Sequence, residues 1–141
     1  MILEEQKRLF KKKQYAGTKK SILKKKANPT SNTGTCGWVY IIGNRELGWF
    51  KVGRSRFDNL FIRLCSIRNS LPFEAILIAA FKSRAFNKLE RHIHKTCSQN
   101  KLHHEWFHFE LSELETVLNM ASIFSESKLS PEEISIFNYC D

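Results

Sequence analysis

The stretch WVYIIGNRELGWFKVG, residues 38–53, holds two apolar runs on either side of a turn signal. The runs WVYII (38–42) and WFKVG (49–53) are rich in β-branched and aromatic residues, which predicts two strands joined as a hairpin. A symmetric hairpin places Tyr40 directly opposite Lys51 on one face of the sheet. The alternate positions predict an apolar face turned to the core, formed by Val39, Ile41, Phe50 and Val52.

The middle of the chain predicts two amphipathic helices around a buried strand. The first helix is predicted over Asp58–Ser70 and ends before Pro72. A continuously apolar run at 73–81 predicts a strand covered on both faces, and a second helix is predicted over Ala85–Gln99. The stripes that indicate the two helices are Leu60, Leu64, Ile67 and Leu71, and then Phe86, Leu89, Ile93 and Cys97.

The C-terminal third predicts one more strand and two more helices. EWFHF (105–109) reads as a short strand. Ser112 and Glu115 predict a capping box for a third helix that ends near Phe124, and Ser130 predicts the start of a short last helix. The elements together predict an α/β (α+β) domain, in which an antiparallel sheet of about three main strands is flanked by helices.

Charge divides the chain into three parts. Residues 1–27 hold ten Lys or Arg against two Glu, and a linker-like NPTSNTGT follows, so we expect a flexible basic arm over 1–35. The folded domain is expected over 36–124. A short acidic helix is expected over 125–141, because residues 110–141 hold one Lys against seven acids. This distribution, within a net charge of +9, predicts a polyanionic partner contacted on one side.

Length and composition exclude several classes of protein. A chain of 141 residues suffices for one domain, and it contains no apolar run of membrane-spanning length and no secretory signal. We therefore expect an intracellular protein without a membrane partner, cytoplasmic, or nuclear in a eukaryotic host. The four cysteines form no CxxC pair, which predicts neither a disulfide framework nor a zinc ribbon.

Five short elements occur in order along this frame. They are Val39-Tyr40-Ile41, Lys51-Val52-Gly53, Arg63, Glu90 and Glu105-Trp106-Phe107. In their order, and in the eleven-residue step from Tyr40 to Lys51, they resemble a GIY-YIG nuclease domain over about residues 36–118. The resemblance is to the branch of phages and large DNA viruses, whose motifs read Val-Tyr-Ile and Lys-Ile-Gly. It implies a metal-dependent endonuclease acting on DNA, with RNA not excluded, from a virus, phage or mobile element.

The resemblance implies a role for each of four residues. Tyr40 would be the general base and Arg63 would clamp the phosphate, to which a planar guanidinium is suited. Glu90 would hold one hard divalent ion, Mg²⁺ or else Mn²⁺, because such an ion keeps several waters and needs few carboxylates. Lys51 stands where most members have a second tyrosine. It would lower the pKa of Tyr40 or bind its hydroxyl, act as the base itself if desolvated, or bind phosphate.

Histidines and further basic residues surround the expected site. His94 follows Glu90 by one helical turn and would assist as acid, base or supporting group. A zinc site from His94, Cys97 and His103 or His104 is an open alternative. Basic residues expected to contact a nucleic-acid backbone are Arg54, Arg56, Arg68, Arg84, Lys88, Arg91 and Lys95, with Lys11, Lys12, Lys13, Lys24, Lys25 and Lys26 of the arm. The arm lysines would also serve as nuclear import signals in a eukaryotic host.

Two rival functions remain open on the sequence. The same fold would serve as a nucleic-acid-binding module without catalysis, which the basic residues and the lysine in the second motif favour. Alternatively, a viral or phage protein would engage a host protein through its acidic last helices. The sequence predicts no oligomeric state.

Overall fold

A computed structural model describes residues 36–139 of the chain. Six antiparallel strands form one sheet in the order β4-β5-β2-β1-β3-β6. The three main strands are β1 (Gly37–Asn44), β2 (Trp49–Arg56) and β3 (Ile76–Ser83). The three short strands are β4 (Lys101–His103), β5 (Trp106–His108) and β6 (Ser127–Lys128).

Four helices cover the sheet. They are α1 (Leu60–Ser70), α2 (Phe86–Thr96), α3 (Leu111–Ile123) and α4 (Pro131–Tyr139), with 3₁₀ turns at Phe57–Asn59 and Ser98–Asn100. The α+β class with three main antiparallel strands is therefore confirmed, whereas β4 and β6 were not predicted. None of the helices between residues 36 and 139 has the length and apolarity needed to cross a bilayer.

Each face of the sheet packs against two helices. On one face the predicted apolar positions of the hairpin join the stripes of α2 and α3, and this confirms the predicted core face: Val39, Ile41, Phe50, Val52, Phe86, Leu89, Ile93 and Cys97. On the other face Tyr40 lies in a second cluster with the buried residues of α1 and α4. The buried strand predicted after Pro72 is β3, and both clusters contain its residues.

The register of the β1–β2 hairpin differs from the symmetric prediction. Tyr40 pairs with Gly53, and Lys51 pairs with Ile42, so the predicted direct opposition of Tyr40 and Lys51 is wrong by two residues. A shift of two preserves the face on which each side chain lies. Tyr40 and Lys51 are therefore diagonal neighbours on the same face.

The turn explains the shift in register. Strand pairing continues to Asn44 and Trp49, which leaves a loop of four residues where six were expected. The side-chain oxygen of Asn44 accepts the N–H of Leu47 at 2.9 Å, and the N–H of Gly48 donates to the carbonyl of Asn44 at 2.9 Å. Gly48 has φ +73°, a conformation that glycine adopts without steric cost. These contacts shorten the loop, so that it begins two residues later than symmetry about GNRELG suggests.

The start of α3 also differs from prediction. The capping pair is Glu110 and Glu113, where Ser112 and Glu115 were expected. The backbone N–H of Glu110 donates to the side-chain oxygen Oε1 of Glu113 at 2.8 Å. Leu111 is exposed and occupies the first helical turn, so the apolar periodicity did not mark the true start. The start predicted for α4 at Ser130 is confirmed, because Ser130 and Glu133 exchange the two hydrogen bonds of a capping box.

The second half of β2 has an open edge. Strand β5 pairs with β2 only from Trp49 to Lys51, and one more hydrogen bond joins the N–H of Val52 to the carbonyl of Glu105 at 3.0 Å. Within residues 36–139, no strand pairs with Gly53–Arg56 on that side. Side chains from both faces of the sheet can therefore meet around this edge.

Helix α4 is held on the sheet by a side-chain amide. The Leu77 N–H donates to Asn138 Oδ1 at 2.7 Å, and Asn138 Nδ2 donates to the Leu77 carbonyl at 2.9 Å. We expect Asn138→Ala to lower the free energy of unfolding by about 1–2 kcal/mol, because two buried backbone groups lose their partners. Urea unfolding measures it. Asn119→Ala, at an exposed position on α3, is the control and should cost less than about 0.5 kcal/mol.

Candidate functional site

An open depression of about 940 Å³ lies beside the second half of β2. Its walls come from β2, the first turns of α1, Phe86 at the start of α2, and the turn before β5. The charged side chains that line it are Lys51, Arg54, Arg56, Arg63 and Glu105. Four basic groups against one acid make this depression suited to an anion.

Tyr40 lies beneath the depression and is bound by Arg63. The Arg63 Nε–H donates to the Tyr40 hydroxyl oxygen at 3.3 Å. Tyr40 is fully buried on β1, whereas Arg63 is exposed on α1. The guanidinium therefore lies between the phenol and the anion-binding surface, and it can contact both.

Gly53 makes the space for this phenol. A Cβ atom at Gly53 would lie 2.5 Å from the Tyr40 hydroxyl oxygen and 2.6 Å from its Cζ. Real Cβ atoms essentially never approach so closely, so no other residue fits without displacement of the ring. The glycine of the second motif is thus required by the tyrosine of the first, because the two are paired across the strands.

The structure contradicts a lowered pKa of Tyr40, and Arg63 binds its hydroxyl where Lys51 was expected. Burial raises the pKa of Tyr40 to about 12, and the nearby Arg63 only partly opposes this. Lys51 lies diagonally across the hairpin and instead binds Glu105. At neutral pH the phenol of the free protein is therefore protonated, and the cation that contacts it is Arg63.

Glu90 reaches the open edge of β2 from α2. Its side chain is 6% exposed, and its Oε1 accepts a hydrogen bond from Arg54 Nη1 at 3.0 Å. His94 Nε2 lies 3.6 Å from Glu90 Oε2 and donates to the carbonyl of Val52 at 2.8 Å. His94 therefore holds the edge of β2 beside Glu90, and this geometry fits the supporting role among its predicted alternatives.

Lys51 is held by a second carboxylate. Its ammonium donates to Glu105 Oε1 at 2.7 Å, and the two side chains are 16% and 37% exposed. Burial opposes ionisation of Glu105, but Lys51, His94 and Arg63 together outweigh it and hold the pKa of this carboxyl below its usual value. Glu105 is thus ionised at neutral pH and fixes the ammonium at the wall of the depression.

The fold brings Tyr40, Lys51, Arg63 and Glu90 into one neighbourhood, with His94, the fifth residue predicted for catalysis, beside Glu90. The charges of Arg63, Glu105 and Glu90 act on Tyr40, and those of both carboxylates act on Arg63, so these groups lie close together. Lys51 belongs to the same group of side chains because it binds Glu105. The phenol, the two cations and the carboxylates come from separate segments, and they meet around the open edge of β2.

Other predicted contacts lie elsewhere. Arg68 donates to the carbonyl of Phe137 at 3.0 Å and lies 4.3 Å above its ring, so it holds α4 on α1 and lines no part of the depression. Lys88 and Arg91 are exposed on α2. The arm lysines, and the arm itself, lie outside the described residues: Lys11, Lys12, Lys13, Lys24, Lys25 and Lys26.

The zinc alternative finds no support. Within residues 36–139, no three side chains of His, Cys, Asp or Glu are arranged to hold a metal ion. The rings of His103 and His104 contact each other at an angle of 53°, with centroids 3.9 Å apart, and Cys97 is buried in the core. The set His94, Cys97 and His103 or His104 is therefore not assembled.

Sequence reasoning missed three residues of the site. Glu105 was recognised as part of a motif but was assigned no role, although its place beside Trp106 and Phe107 was the available signal. Asn59 and Ser66 line the depression from the start of α1 and the turn after Arg63. Their positions one turn from a predicted phosphate ligand were the only signal for them.

The donor chemistry of Glu90 fits a hard divalent cation. The Oε2 atom is too far from His94 for a hydrogen bond, so it retains acceptor capacity. The Oε1 atom is bound by the half-exposed Arg54, a pair of the kind that is readily exchanged. A single carboxylate that leaves the remaining positions to water suits Mg²⁺ or Mn²⁺.

The buried phenol gives the fold a dependence on alkaline pH. The pKa of Tyr40 is about 12 in the folded chain and about 10 when unfolded, so its stabilisation is complete below pH 10 and is lost as pH rises toward 12. Between pH 8 and 10.5 we expect a loss of about 1 kcal/mol in the free energy of unfolding. Urea unfolding of wild type and Tyr40→Phe measures it. Equal pH slopes for the two proteins would contradict the assignment.

One comparison with known proteins identifies a relationship. The T5orf172 domain, a phage-associated domain of endonuclease-like type, matches residues 37–122. The matched range begins with β1 and ends within α3, so it includes every residue of the site described above. No curated protein and no solved structure is significantly similar to the chain.

Proposed function

This chain belongs to the T5orf172 domain family, and from that premise we propose that it is a divalent-metal-dependent endonuclease of the GIY-YIG type that hydrolyses DNA. The observation that carries the proposal is the meeting of Tyr40, Arg63 and Glu90 at the open edge of β2, under a depression lined with basic groups. Phosphodiester hydrolysis needs an activated water, relief of charge on phosphate, and help for the leaving oxygen. These residue types supply all three.

Phosphate binding is the part of the mechanism assigned to the basic side chains. Arg63 and Lys51 line the depression, and each is held from below by a hydrogen bond to Tyr40 or Glu105. A guanidinium and an ammonium fixed in this way can contact the oxygens of one phosphate and stabilise the charge that develops there. Arg54 and Arg56 extend the same surface along β2 and would contact neighbouring phosphates.

Proton transfer is assigned to Tyr40. Its hydroxyl accepts from Arg63, so its own O–H remains available to a water at the site. Burial is the main cause of the raised pKa of Tyr40, and the charges of Glu105 and Glu90 raise it further. A divalent cation on Glu90 would offset one of these charges and stabilise the leaving oxygen. To act as the base, Tyr40 must first release its own proton to solvent through that water. The phenolate, with Arg63 beside it, would then accept one proton from the attacking water.

A supercoiled plasmid tests the proposal. The full chain should convert it to the nicked form in Mg²⁺ or Mn²⁺ and should not do so in EDTA. Glu90→Ala, purified in the same way, controls for a contaminating nuclease. Nicking that is absent in every divalent ion, or that persists in Glu90→Ala, would contradict the proposal.

The non-catalytic module is the second candidate. The observation that favours it is the high pKa of Tyr40, about 12, together with the engagement of both carboxylates in ion pairs. Such a site binds phosphate without activating water. A gel shift with a steep salt dependence, combined with no nicking in any divalent ion, would select this candidate.

A further inference from the structure

Both carboxylates of the site are already bound by basic side chains of the depression. Arg54 binds Glu90 at 3.0 Å, and Lys51 binds Glu105 at 2.7 Å. The same two cations face the surface to which a phosphate would bind. A phosphate and a carboxylate therefore compete for each cation.

The two ion pairs differ in the exposure of their basic side chains, and this difference indicates that Arg54 exchanges its partner more readily than Lys51 does. The side chain of Arg54 is 51% exposed, while that of Lys51 is 16% exposed. A half-exposed guanidinium can leave its partner for solvent or for another anion at small cost. Glu90 is only 6% exposed, and a buried carboxylate that loses its counter-ion pays a large penalty unless another cation replaces it.

We propose that Arg54 is an exchangeable counter-ion that couples DNA binding to divalent-cation binding at Glu90. Without DNA, Arg54 neutralises Glu90 and competes with the cation for it. A backbone phosphate attracts Arg54, and the vacated carboxylate then binds the cation. The inference rests on the proposed function, since it concerns the same site, but it concerns binding and not hydrolysis.

Linkage makes the coupling reciprocal and measurable. If a DNA duplex raises the affinity of the site for the cation, the cation raises the affinity for the duplex by the same factor. Electron paramagnetic resonance reports free Mn²⁺ during titration into the full chain, into a short duplex, and into their mixture. We expect the chain in the mixture to bind Mn²⁺ at least about tenfold more tightly than the chain alone, after subtraction of the duplex.

A pair of matched variants isolates Arg54. Arg54→Met should bind Mn²⁺ about tenfold more tightly than wild type without DNA, and the duplex should then add less than about twofold. Arg45→Met removes the same charge at an exposed position of the β1–β2 turn, outside the depression, so it reports the effect of net charge alone. It should retain the coupling of wild type. Thermal unfolding of both variants verifies that they are folded.

The outcomes separate this inference from the proposed function. The inference is overturned if the duplex does not tighten Mn²⁺ binding by wild type, or if Arg54→Met behaves as Arg45→Met does. A wild-type titration without tightening overturns the inference even if Arg54→Met does not fold. Coupling without nicking would contradict the proposed endonuclease function and would support the exchange of Arg54. Nicking without coupling would support the endonuclease function and contradict the exchange.

Discussion

Glu90→Gln is expected to lower the rate of plasmid nicking by at least about 10³-fold, a loss larger than that for removal of a group that only supports a metal ligand. The substitution keeps the shape of the side chain and removes its charge. Glu90 is the carboxylate that reaches the open edge of β2 from α2 and offers an uncommitted oxygen there. Under the proposed function, loss of this charge would remove the ligand of the cation, and it would also remove the carboxylate that binds Arg54.

The stability of Glu90→Gln should change little, although its nicking activity falls. Glu90 is 6% exposed, and a neutral amide at a buried position avoids the desolvation cost of the carboxylate. Arg54, at 51% exposure, can turn to solvent. We therefore expect the free energy of unfolding to change by less than about 1 kcal/mol, in either direction.

Glu115→Gln is the matched control for Glu90→Gln, because Glu115 is exposed on α3 and takes no part in the site. Its nicking rate should equal that of wild type. The assay is a time course of supercoiled plasmid under single-turnover conditions, accompanied by urea unfolding. A Glu90→Gln protein that nicks within tenfold of wild type would remove Glu90 from the mechanism.

Gly53→Ala is expected to have the largest effect on folding and activity together. The new Cβ would lie 2.5 Å from the hydroxyl oxygen of Tyr40, whose side chain is fully buried and cannot swing into solvent. Overpacking of this kind costs about 2–3 kcal/mol of unfolding free energy. The displaced phenol would also lose its contact with Arg63, so nicking should fall by about 10²-fold or more.

A double variant separates this clash from a general weakening of β2. In a Tyr40→Leu background the hydroxyl oxygen and Cζ that would clash with the new methyl group are both absent, so Gly53→Ala should cost at least about 1 kcal/mol less there than in wild type. Ser55→Ala, two residues further along the same strand, should cost less than about 1 kcal/mol alone. Urea unfolding of the four proteins in the cycle measures the coupling. Additive effects of the two substitutions would show that the close approach of Gly53 and Tyr40 does not affect the free energy of unfolding.

Much of the fold was predictable because it depends on local periodicity. The alternation of Val39 and Ile41 indicated the core face of the hairpin, and the stripes of α1 and α2 indicated their buried sides. The short strands β4 and β6 were not predictable. Two or three residues carry no usable periodicity, and such strands exist only because the edges of β5 and β3 are there to pair with them.

For the site, the residues were predictable from the sequence, but the contacts between them were not. The motifs supplied the candidates Tyr40, Lys51, Arg63 and Glu90 by type and spacing. The contacts between them were different from those expected, because a shift of two residues in one hairpin changed every cross-strand neighbour. Arg63 took the place expected of Lys51 beside the phenol, and Glu105 became the partner of Lys51.

The sequence by itself determined which side chains are present and on which face of each element they lie. It did so because side-chain direction follows from the period of a strand or helix. Only the tertiary structure decided which charges are paired, how deeply Tyr40 is buried, and therefore that its pKa is about 12. Pairing and desolvation depend on distances between segments far apart in the chain, and no local pattern encodes those distances.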